Sequence, residues 1–275
     1  MKISTLWRYP VKSMMGEELN GTNISLGGVV GDRAYALIDT SNNNVISAKN
    51  PKKWPNFFDF HAAYSTPNDT ASAVWINLPN GEVINSQQAD ANDKLSNCLG
   101  ASVKLANQAP DAAKLEQYWP EYEGEANEIS NEAVAGDAPQ GSFFDYAALH
   151  LITTSSMEAM QKLYPEGRFE VRRFRPNIVV DTAGLEGFVE NDWVGKTLCL
   201  GDTVKIRISD PCPRCVMPTL AQGDLPQDSG ILRNAVAKNK PFVPFAGKEL
   251  PSVGVYAQVI QAGWVKRGDS ITIED

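Results

Sequence analysis

Short runs in which apolar and polar residues alternate dominate the N-terminal part of the chain. This period of two is typical of strands that bury one face. Turn residues separate the runs, and Asn80-Gly81 is the strongest hairpin signal among them. Strands are predicted at residues 2–9, Ala34–Asp39, Val45–Ala48, Val74–Leu78, Val83–Asn85 and Val103–Leu105, with a helix at Asp90–Leu99. Short strands joined by tight turns predict a small antiparallel barrel or sandwich.

The C-terminal part continues the β pattern and adds a second helix. Its predicted strands are Asn177–Asp181, Thr197–Leu200, Val204–Ile208, Val255–Gln261 and Ser270–Glu274. The helix is predicted at Thr153–Tyr164, because apolar residues recur there at helical spacing and Ser155 with Glu158 has the spacing of a capping box. The fold class is therefore predicted to be mainly β with a few helices, that is, α+β.

An acidic segment separates the two β-rich parts. From Asp111 to Asp145 the chain carries nine acids and one base, Lys114, together with several glycines and prolines. We interpret the segment as a solvated connection. The predicted organisation is an N-terminal β domain at residues 1–110, an acidic connecting segment at 111–142 and a C-terminal β domain at 143–275.

Composition narrows the class of protein. The chain has 275 residues, a hydrophobic share of 43% and a formal net charge of −8. An acidic balance argues against a nucleic-acid or membrane-surface binder. No apolar run is long enough to span a bilayer, and the N-terminus lacks the apolar core of a signal peptide. With four cysteines and no secretory signal, we expect free thiols and a cytoplasmic location.

The most informative stretch for chemistry is Asp210-Pro-Cys-Pro-Arg-Cys-Val-Met-Pro-Thr219. The prolines on both sides of Cys212 fix the backbone and remove two donors, which predicts a stiff turn rather than an inner strand. Arg214 stands next to Cys215 and favours the thiolate form. Such a thiolate is a nucleophile, a redox centre or a ligand for a soft metal. Zinc is disfavoured, because the remaining cysteines and histidines lack ligand spacing.

A second candidate site would bind an anion. Residues Thr153 to Ser156 place four hydroxyls at the start of the predicted helix, where unpaired N–H groups attract phosphate. Helix capping is the simpler explanation unless cations arrive from elsewhere. The candidate cations, all at predicted turns, are Lys12 (beside Ser13), Arg33 and Arg175.

Several motifs, in their order along the chain, match a known family. They are Tyr9-Pro-Val-Lys-Ser-Met14, Gly31-Asp-Arg33, Phe174-Arg-Pro-Asn-Ile-Val-Val180, Cys212-Pro-Arg-Cys215 and the Gly268-Asp269 strand turn. The chain resembles MOSC-domain proteins that also carry an N-terminal MOSC β-barrel domain, as in the YcbX type and the mitochondrial amidoxime reducing component. The resemblance implies two β-barrel domains, the second being the MOSC domain, with a molybdenum–molybdopterin cofactor at their interface.

The resemblance also implies roles for individual residues. Cys215 would supply a thiolate to molybdenum, a metal that suits soft ligands, and Arg214 would act with it at the catalytic centre. The residues on or beside positions that would hold the pterin and its phosphate are Lys12, Ser13, Arg33, Thr154, Ser155 and Arg175, with Pro213, Arg214 and Tyr256 lining the same site. Pyridoxal phosphate binding is a further expectation attached to the family.

The implied function is a molybdenum-dependent reductase of N-hydroxylated or related oxygenated small molecules. YcbX-type proteins often have an iron–sulfur domain after the MOSC domain, whereas this sequence ends at Asp275. We therefore expect a separate electron-donor protein as partner. Two departures from relatives stand out: Glu190-Asn-Asp-Trp193 replaces Glu-Asp-x-Trp, and Glu116–Asp137 is acidic where some relatives are basic. The alternative is a sulfur carrier, with a persulfide on Cys215 and no catalytic metal.

Overall fold

The computed structural model describes residues 1–119, 128–182 and 184–274. The chain divides into two compact units. Unit 1 comprises Met1–Trp7, Glu18–Val30 and Ala147–Asp275, and unit 2 comprises Arg8–Glu17 and Gly31–Tyr146. The first unit is therefore discontinuous in sequence, and most of the second unit is inserted between its parts.

Strands account for most of the regular structure, which confirms the predicted mainly β fold with a few helices. In chain order the strands are β1 (Lys2–Arg8), β2 (Glu17–Leu19), β3 (Gly21–Ser25), β4 (Gly28–Val29), β5 (Ala36–Asp39), β6 (Asn44–Val45), β7 (His61–Tyr64), β8 (Val74–Asn77), β9 (Val83–Asn85), β10 (Val103–Ala106), β11 (Lys114–Trp119), β12 (Glu128–Ala133), β13 (Leu149–Thr153), β14 (Ile178–Asp181), β15 (Thr197–Leu200), β16 (Val204–Pro213), β17 (Phe242–Val243), β18 (Lys248–Glu249), β19 (Ser252–Gln261), β20 (Gly263–Lys266) and β21 (Ile271–Glu274).

The helices are short. The α-helices are α1 (Ala91–Leu99), α2 (Thr154–Leu163) and α3 (Val171–Phe174); single 3₁₀ turns lie at Phe57–Asp59, Val189–Trp193, Met217–Thr219, Val236–Lys238 and Pro244–Ala246, and a π-helical turn at Ile231–Ala235. Both predicted helices are thus present. The capping box predicted for α2 is wrong, because the cap is Thr153, whose side chain accepts from the Ser156 N–H. Strand β13 runs directly into α2, so the last residue of the strand, Thr153, is also the cap of the helix.

Unit 1 is built on an eight-stranded sheet with the order β2-β1-β14-β13-β19-β16-β15-β21. Strands β13 and β14 pair in parallel, whereas the pairs β1–β14, β13–β19, β16–β19, β15–β16 and β15–β21 are antiparallel. The buried faces of these strands, with those of β3 and β20, form one continuous apolar core. A second core lies under α2, where Met160 packs with Ile152, Val179 and Phe174. The rigid strands thereby fix the loops that leave their ends.

The cysteine motif does not form the predicted stiff turn outside the sheet. Pro211, Cys212 and Pro213 are instead the last residues of β16, where Pro211 pairs with Val255 and Pro213 with Ser252 of β19. The register shifts between Ile208 and Asp210 and again between Pro211 and Pro213. Such irregularities are where a strand tolerates residues that lack an N–H.

Unit 2 contains a five-stranded sheet of order β10-β5-β6-β11-β12 and a three-stranded sheet of order β7-β8-β9. The hairpin predicted from Asn80-Gly81 is confirmed, since β8 pairs with β9 and Gly81 has a φ of 86°. Ala36, Ile38 and Val45 form the core of the larger sheet with Phe143.

The acidic segment that was interpreted as a connection instead carries paired strands. Strand β11 pairs antiparallel with β12 and joins the sheet through Leu115, which is opposite Val45 of β6. Leu115 and Gln117 alternate inward while the acidic Glu116 between them is less buried. This alternation, with one apolar and one amide residue facing inward, is enough to hold β11 between β6 and β12, although charge dominates the composition. Residues 120–127 of the acidic segment lie outside the described residues.

Within the described ranges, no helix is long and apolar enough to cross a membrane.

Candidate functional site

The two cysteines of the motif have different environments. Cys212, inside β16, is 1% exposed, and its Sγ accepts a hydrogen bond of 2.9 Å from Nη1 of Arg214. Cys215 follows the strand and is only partly buried. Among the residues that the structure describes, none hydrogen-bonds to its thiol. The accessible thiol of the pair is therefore Cys215.

Arg214 links the cysteine motif to the end of α3. Its Nη2 donates to the Phe174 carbonyl at 2.8 Å, and its guanidinium lies 5.6 Å from the centre of the Phe174 ring. Its buried Nε has no hydrogen-bond partner in the described part of the chain. The sequence predicted this cation beside Cys215, whereas its direct contact is with Cys212. Burial opposes its charge, but nearby Cys212, Tyr256 and Cys215 raise the pKa of Arg214.

Arg175 lies at the end of α3, next to the residue that Arg214 contacts. It has a φ of 54°, in the left-handed region, and its N–H caps the helix by donating to Val171. Only 6% of the residue is exposed. A non-glycine residue held in this conformation is a common mark of a functional position. The fold thus brings the cysteine motif and Arg175 together, as the sequence predicted.

A row of polar side chains crosses three neighbouring strands close to the motif. On β19, Tyr256 is opposite His150 of β13 on one side and Asp210 of β16 on the other. The His150 and Tyr256 rings are 6.1 Å apart and meet at an edge-on angle. Gly254 lets the two strands approach, because a Cβ there would lie 2.2 Å from the Leu151 oxygen and 2.5 Å from Nε2 of His150. Tyr256, predicted to line the site, is therefore beside Asp210, which leads into the cysteines.

The hydroxyls at the start of α2 are already used. Thr153 donates to Oε2 of Glu190 at 2.7 Å, and Ser156 donates to both carboxylate oxygens at 2.6 and 2.7 Å. The Ser155 hydroxyl is 3.0 Å from that of Thr153. Glu190 is fully buried, and burial raises its pKa, although these hydrogen bonds oppose the rise. A carboxyl group thus occupies the helix terminus that was expected to attract phosphate.

Thr154 and Ser155 follow the end of β13 that lies away from Arg175. The Asn177 N–H donates to the His150 carbonyl at 2.8 Å, which places the segment after Arg175 near the start of β13. Thr154 follows the opposite end of β13, so about 13 Å of strand separates it from His150 at about 3.3 Å per residue. The structure therefore does not bring these two hydroxyl residues together with Arg175.

The remaining predicted residues lie in unit 2, and one of them is a buried lysine. Lys12 is 4% exposed, and its Nζ donates to the Phe143 carbonyl at 2.6 Å and to Asp145. Lys49 contacts the same carboxylate at 3.1 Å. Burial lowers the pKa of Lys12 to about 8, against the opposing effect of Asp145. Burial acts to raise the pKa of Asp145, but the two lysines hold it well below its usual range.

Ser13 and Arg33 both have positive φ angles, 67° and 48°. The Ser13 hydroxyl accepts from the Ala48 N–H at 3.1 Å. Arg33 pairs with Asp32 and lies 4.6 Å from the centre of the Tyr9 ring. Both predicted cations of unit 2 are therefore balanced by carboxylates, and their role toward an anionic cofactor stays a prediction.

Sequence reasoning missed three residues at these places. Lys49 and Asp145 complete the Lys12 cluster, but 133 positions separate Lys12 from Asp145, so no local pattern links them. His150 lies between Leu149 and Leu151 in the sequence, a setting that favours a packing role. His150 could have been found from its position opposite Tyr256 on the neighbouring strand, but that position is known only once the strand register is known.

The donor chemistry limits which metal centre could bind. Within the described ranges, no group of three or more histidine, cysteine or acidic side chains is placed to hold a metal ion. A metal held only by protein ligands has no site there. An accessible thiol that directly follows Arg214 instead fits an anionic metal cofactor that brings its own ligands and takes one soft ligand from the protein.

Two family models match the chain. The MOSC N-terminal beta barrel domain matches residues 1–119, and the MOSC domain matches residues 138–272. The chain belongs to the MOSC-domain family. The predicted family and the predicted N-terminal barrel are thereby confirmed. This family is associated with binding of the molybdenum cofactor, whereas neither match supports the expected pyridoxal phosphate binding.

Solved structures show weaker likenesses to this MOSC protein. The YUAD protein from Bacillus subtilis is 11% identical with a TM-score of 0.45, and the match covers 99% of this chain and 94% of that one. YiiM from Geobacillus stearothermophilus is 16% identical with a TM-score of 0.33, covering 59% and 72%. Likenesses at these scores establish neither function nor site. A search of curated proteins gave no match.

Proposed function

We propose that this MOSC protein binds the molybdenum cofactor with Cys215 as the metal's protein ligand, and reduces N-hydroxylated or related oxygenated small molecules. The observation that carries the proposal is the Cys215 thiol, accessible and without a hydrogen-bond partner in the described structure, directly after Arg214, whose Nε is buried. Family membership supports the cofactor, and the donor chemistry supports the ligand.

Arg214 and Cys212 have supporting roles in this proposal. The Cys212 thiol and the Phe174 carbonyl fix the guanidinium through Nη1 and Nη2. This fixed cation directly precedes Cys215 in the chain, and a metal binds cysteine in its thiolate form. The unpartnered Nε of Arg214 and the neighbouring Arg175 are the groups of unit 1 that would neutralise an anionic cofactor.

The reaction needs electrons and protons from outside the chain. Reduction of R–NHOH breaks the N–O bond, takes up two electrons and two protons, and releases R–NH₂ and water. The cofactor, when bound, supplies the metal at which the oxygen leaves. The described residues contain no cysteine cluster of the kind that holds an iron–sulfur centre. We therefore propose that a separate reduced carrier protein delivers the electrons.

The test compares the two cysteines. Cys215→Ser should lose molybdenum and activity, because a hydroxyl is a harder ligand with a much higher pKa. Cys212→Ser should keep the metal and most of the activity, since it changes the partner of Arg214 and not a ligand. Metal content by mass spectrometry and reduction of a hydroxylamine panel with an artificial low-potential donor are the measurements.

Three outcomes would contradict the proposal. Loss of metal in Cys212→Ser with retention in Cys215→Ser would mean that the other cysteine is the ligand. Labile sulfur on the wild-type protein without stoichiometric molybdenum would favour a persulfide carrier on Cys215 instead. Turnover by the purified protein with a nicotinamide cofactor alone would contradict the need for a carrier protein.

A further inference from the structure

A small hairpin close in sequence to the cysteine motif exposes two aromatic rings. Strand β17 pairs with β18 through Phe242 opposite Glu249 and Val243 opposite Lys248. Val243 is completely buried and anchors the hairpin. Phe242 and Phe245 are 58% and 46% exposed. Phenylalanine rings gain several kcal/mol from burial and are enriched where proteins associate, so two exposed rings on one hairpin indicate an interaction surface.

The same hairpin is basic in an acidic protein. Lys238, Lys240 and Lys248 are exposed, and Glu249 is the single acid between residues 238 and 249. The whole chain has a formal net charge of −8. We call Lys238, Lys240, Phe242, Phe245 and Lys248 the hairpin surface. Its charge attracts an acidic partner that the rest of the protein repels, which orients the encounter.

The base of the hairpin is tied to the segment that carries Arg214. Asn239 and Ser252 exchange hydrogen bonds of 2.8 and 2.9 Å where the chain enters and leaves the hairpin. Ser252 also pairs with Pro213, and the neighbouring Pro251 carbonyl accepts from the Arg214 N–H at 2.9 Å. A protein seated on the hairpin surface would therefore lie next to the Cys215 segment.

From these three observations we propose that the hairpin surface is the docking site for a small acidic electron-carrier protein. The inference rests on the proposed reductase function, which requires an external donor. The exposed rings supply the apolar centre of the interface, and the lysines supply the charged rim that selects an acidic carrier. We propose a redox protein and not an anionic membrane as the partner, because the hairpin surface adjoins the proposed metal ligand.

The experiment uses the full-length, cofactor-loaded protein and a panel of acidic carriers: a flavodoxin, a plant-type ferredoxin and an acidic b-type cytochrome. One variant carries Lys240→Glu and Lys248→Glu, and another carries Phe242→Ser and Phe245→Ser. Matched controls are Lys104→Glu and Leu26→Ser, which change an exposed lysine and an exposed apolar residue elsewhere. The measurements are carrier affinity by calorimetry at two salt concentrations and the carrier KM in substrate reduction.

Both hairpin variants should raise the KM for the carrier at least about tenfold, with kcat from a small-molecule donor unchanged. Salt should weaken wild-type binding and affect the charge-reversed variant less. Unchanged carrier KM in both variants, or no binding by any member of the panel, would overturn the proposal. So would hairpin-dependent binding to phosphatidylserine vesicles without carrier binding. Failure of the reductase function itself would show separately, as no turnover with the small-molecule donor.

Discussion

The start of α2 allows a quantitative prediction about Thr153. Its hydroxyl accepts from the Ser156 N–H at 3.1 Å and donates to Glu190 at 2.7 Å, and the residue is completely buried. Thr153→Val keeps the volume but removes both bonds, together with the 3.0 Å contact to the Ser155 hydroxyl. Loss of the cap costs about 1 kcal/mol, and leaving a buried carboxyl oxygen without one of its donors costs about 1–3 kcal/mol. We expect the free energy of unfolding to fall by about 2–4 kcal/mol.

Urea denaturation measures the change, and Thr153→Ser is the matched control because it keeps the hydroxyl. The control should lose about 1 kcal/mol at most, from one methyl group. Combining Thr153→Val with Glu190→Gln should cost less than the sum of the single changes, since both alter the same contact. A loss below about 1 kcal/mol in Thr153→Val at an unchanged denaturant slope, or strict additivity in the double variant, would refute the reasoning.

Three further predictions concern Lys12, Arg175 and Gly254. Lys12 has a pKa of about 8 in the folded chain and 10.5 in the unfolded chain, so the unfolded chain binds more protons between these values. The free energy of unfolding, measured by urea titration, should therefore rise between about pH 8 and 10 relative to a Lys12→Met variant. The same pH dependence in both proteins would contradict the prediction. Arg175→Gly accepts the left-handed backbone, so it should fold normally yet contain less molybdenum, and full metal content would count against Arg175 as a cofactor contact. Gly254→Ala should lower stability by more than about 1 kcal/mol, because its φ is 76° and its Cβ would meet the Leu151 oxygen; an unchanged melting temperature would exclude that clash.

The elements that could be predicted from the sequence are those with a local cause. Asn80-Gly81 encodes a hairpin turn by itself, and the apolar spacing along α2 encodes a helix that buries Met160. The two helices and most strands follow from such signals. The association of Arg175 with the cysteine motif was also expected, although from family resemblance and not from any pattern.

The features that escaped prediction depend on distant partners. Strand β16 accepts two prolines only because β19 offers a shifted register, and β11 forms only because β6 and β12 flank it. Arg214 is adjacent in sequence to Cys215 but turns toward Cys212 and the Phe174 carbonyl, 40 residues away. Tertiary packing determines such strand pairings and side-chain partners, and a short stretch of sequence does not reveal it.

The interleaving of the two units has a consequence for how the chain folds as it is made. Strand β1 pairs with β14, and the Met1 carbonyl accepts from the Ile271 N–H at 2.9 Å, so unit 1 closes only after Ile271 has left the ribosome. Unit 2 is complete by Tyr146 and can fold first. A fragment that begins at Ala147 would leave the edge of β14 without β1, with open backbone groups beside buried Ile178 and Val180, and we expect it to aggregate.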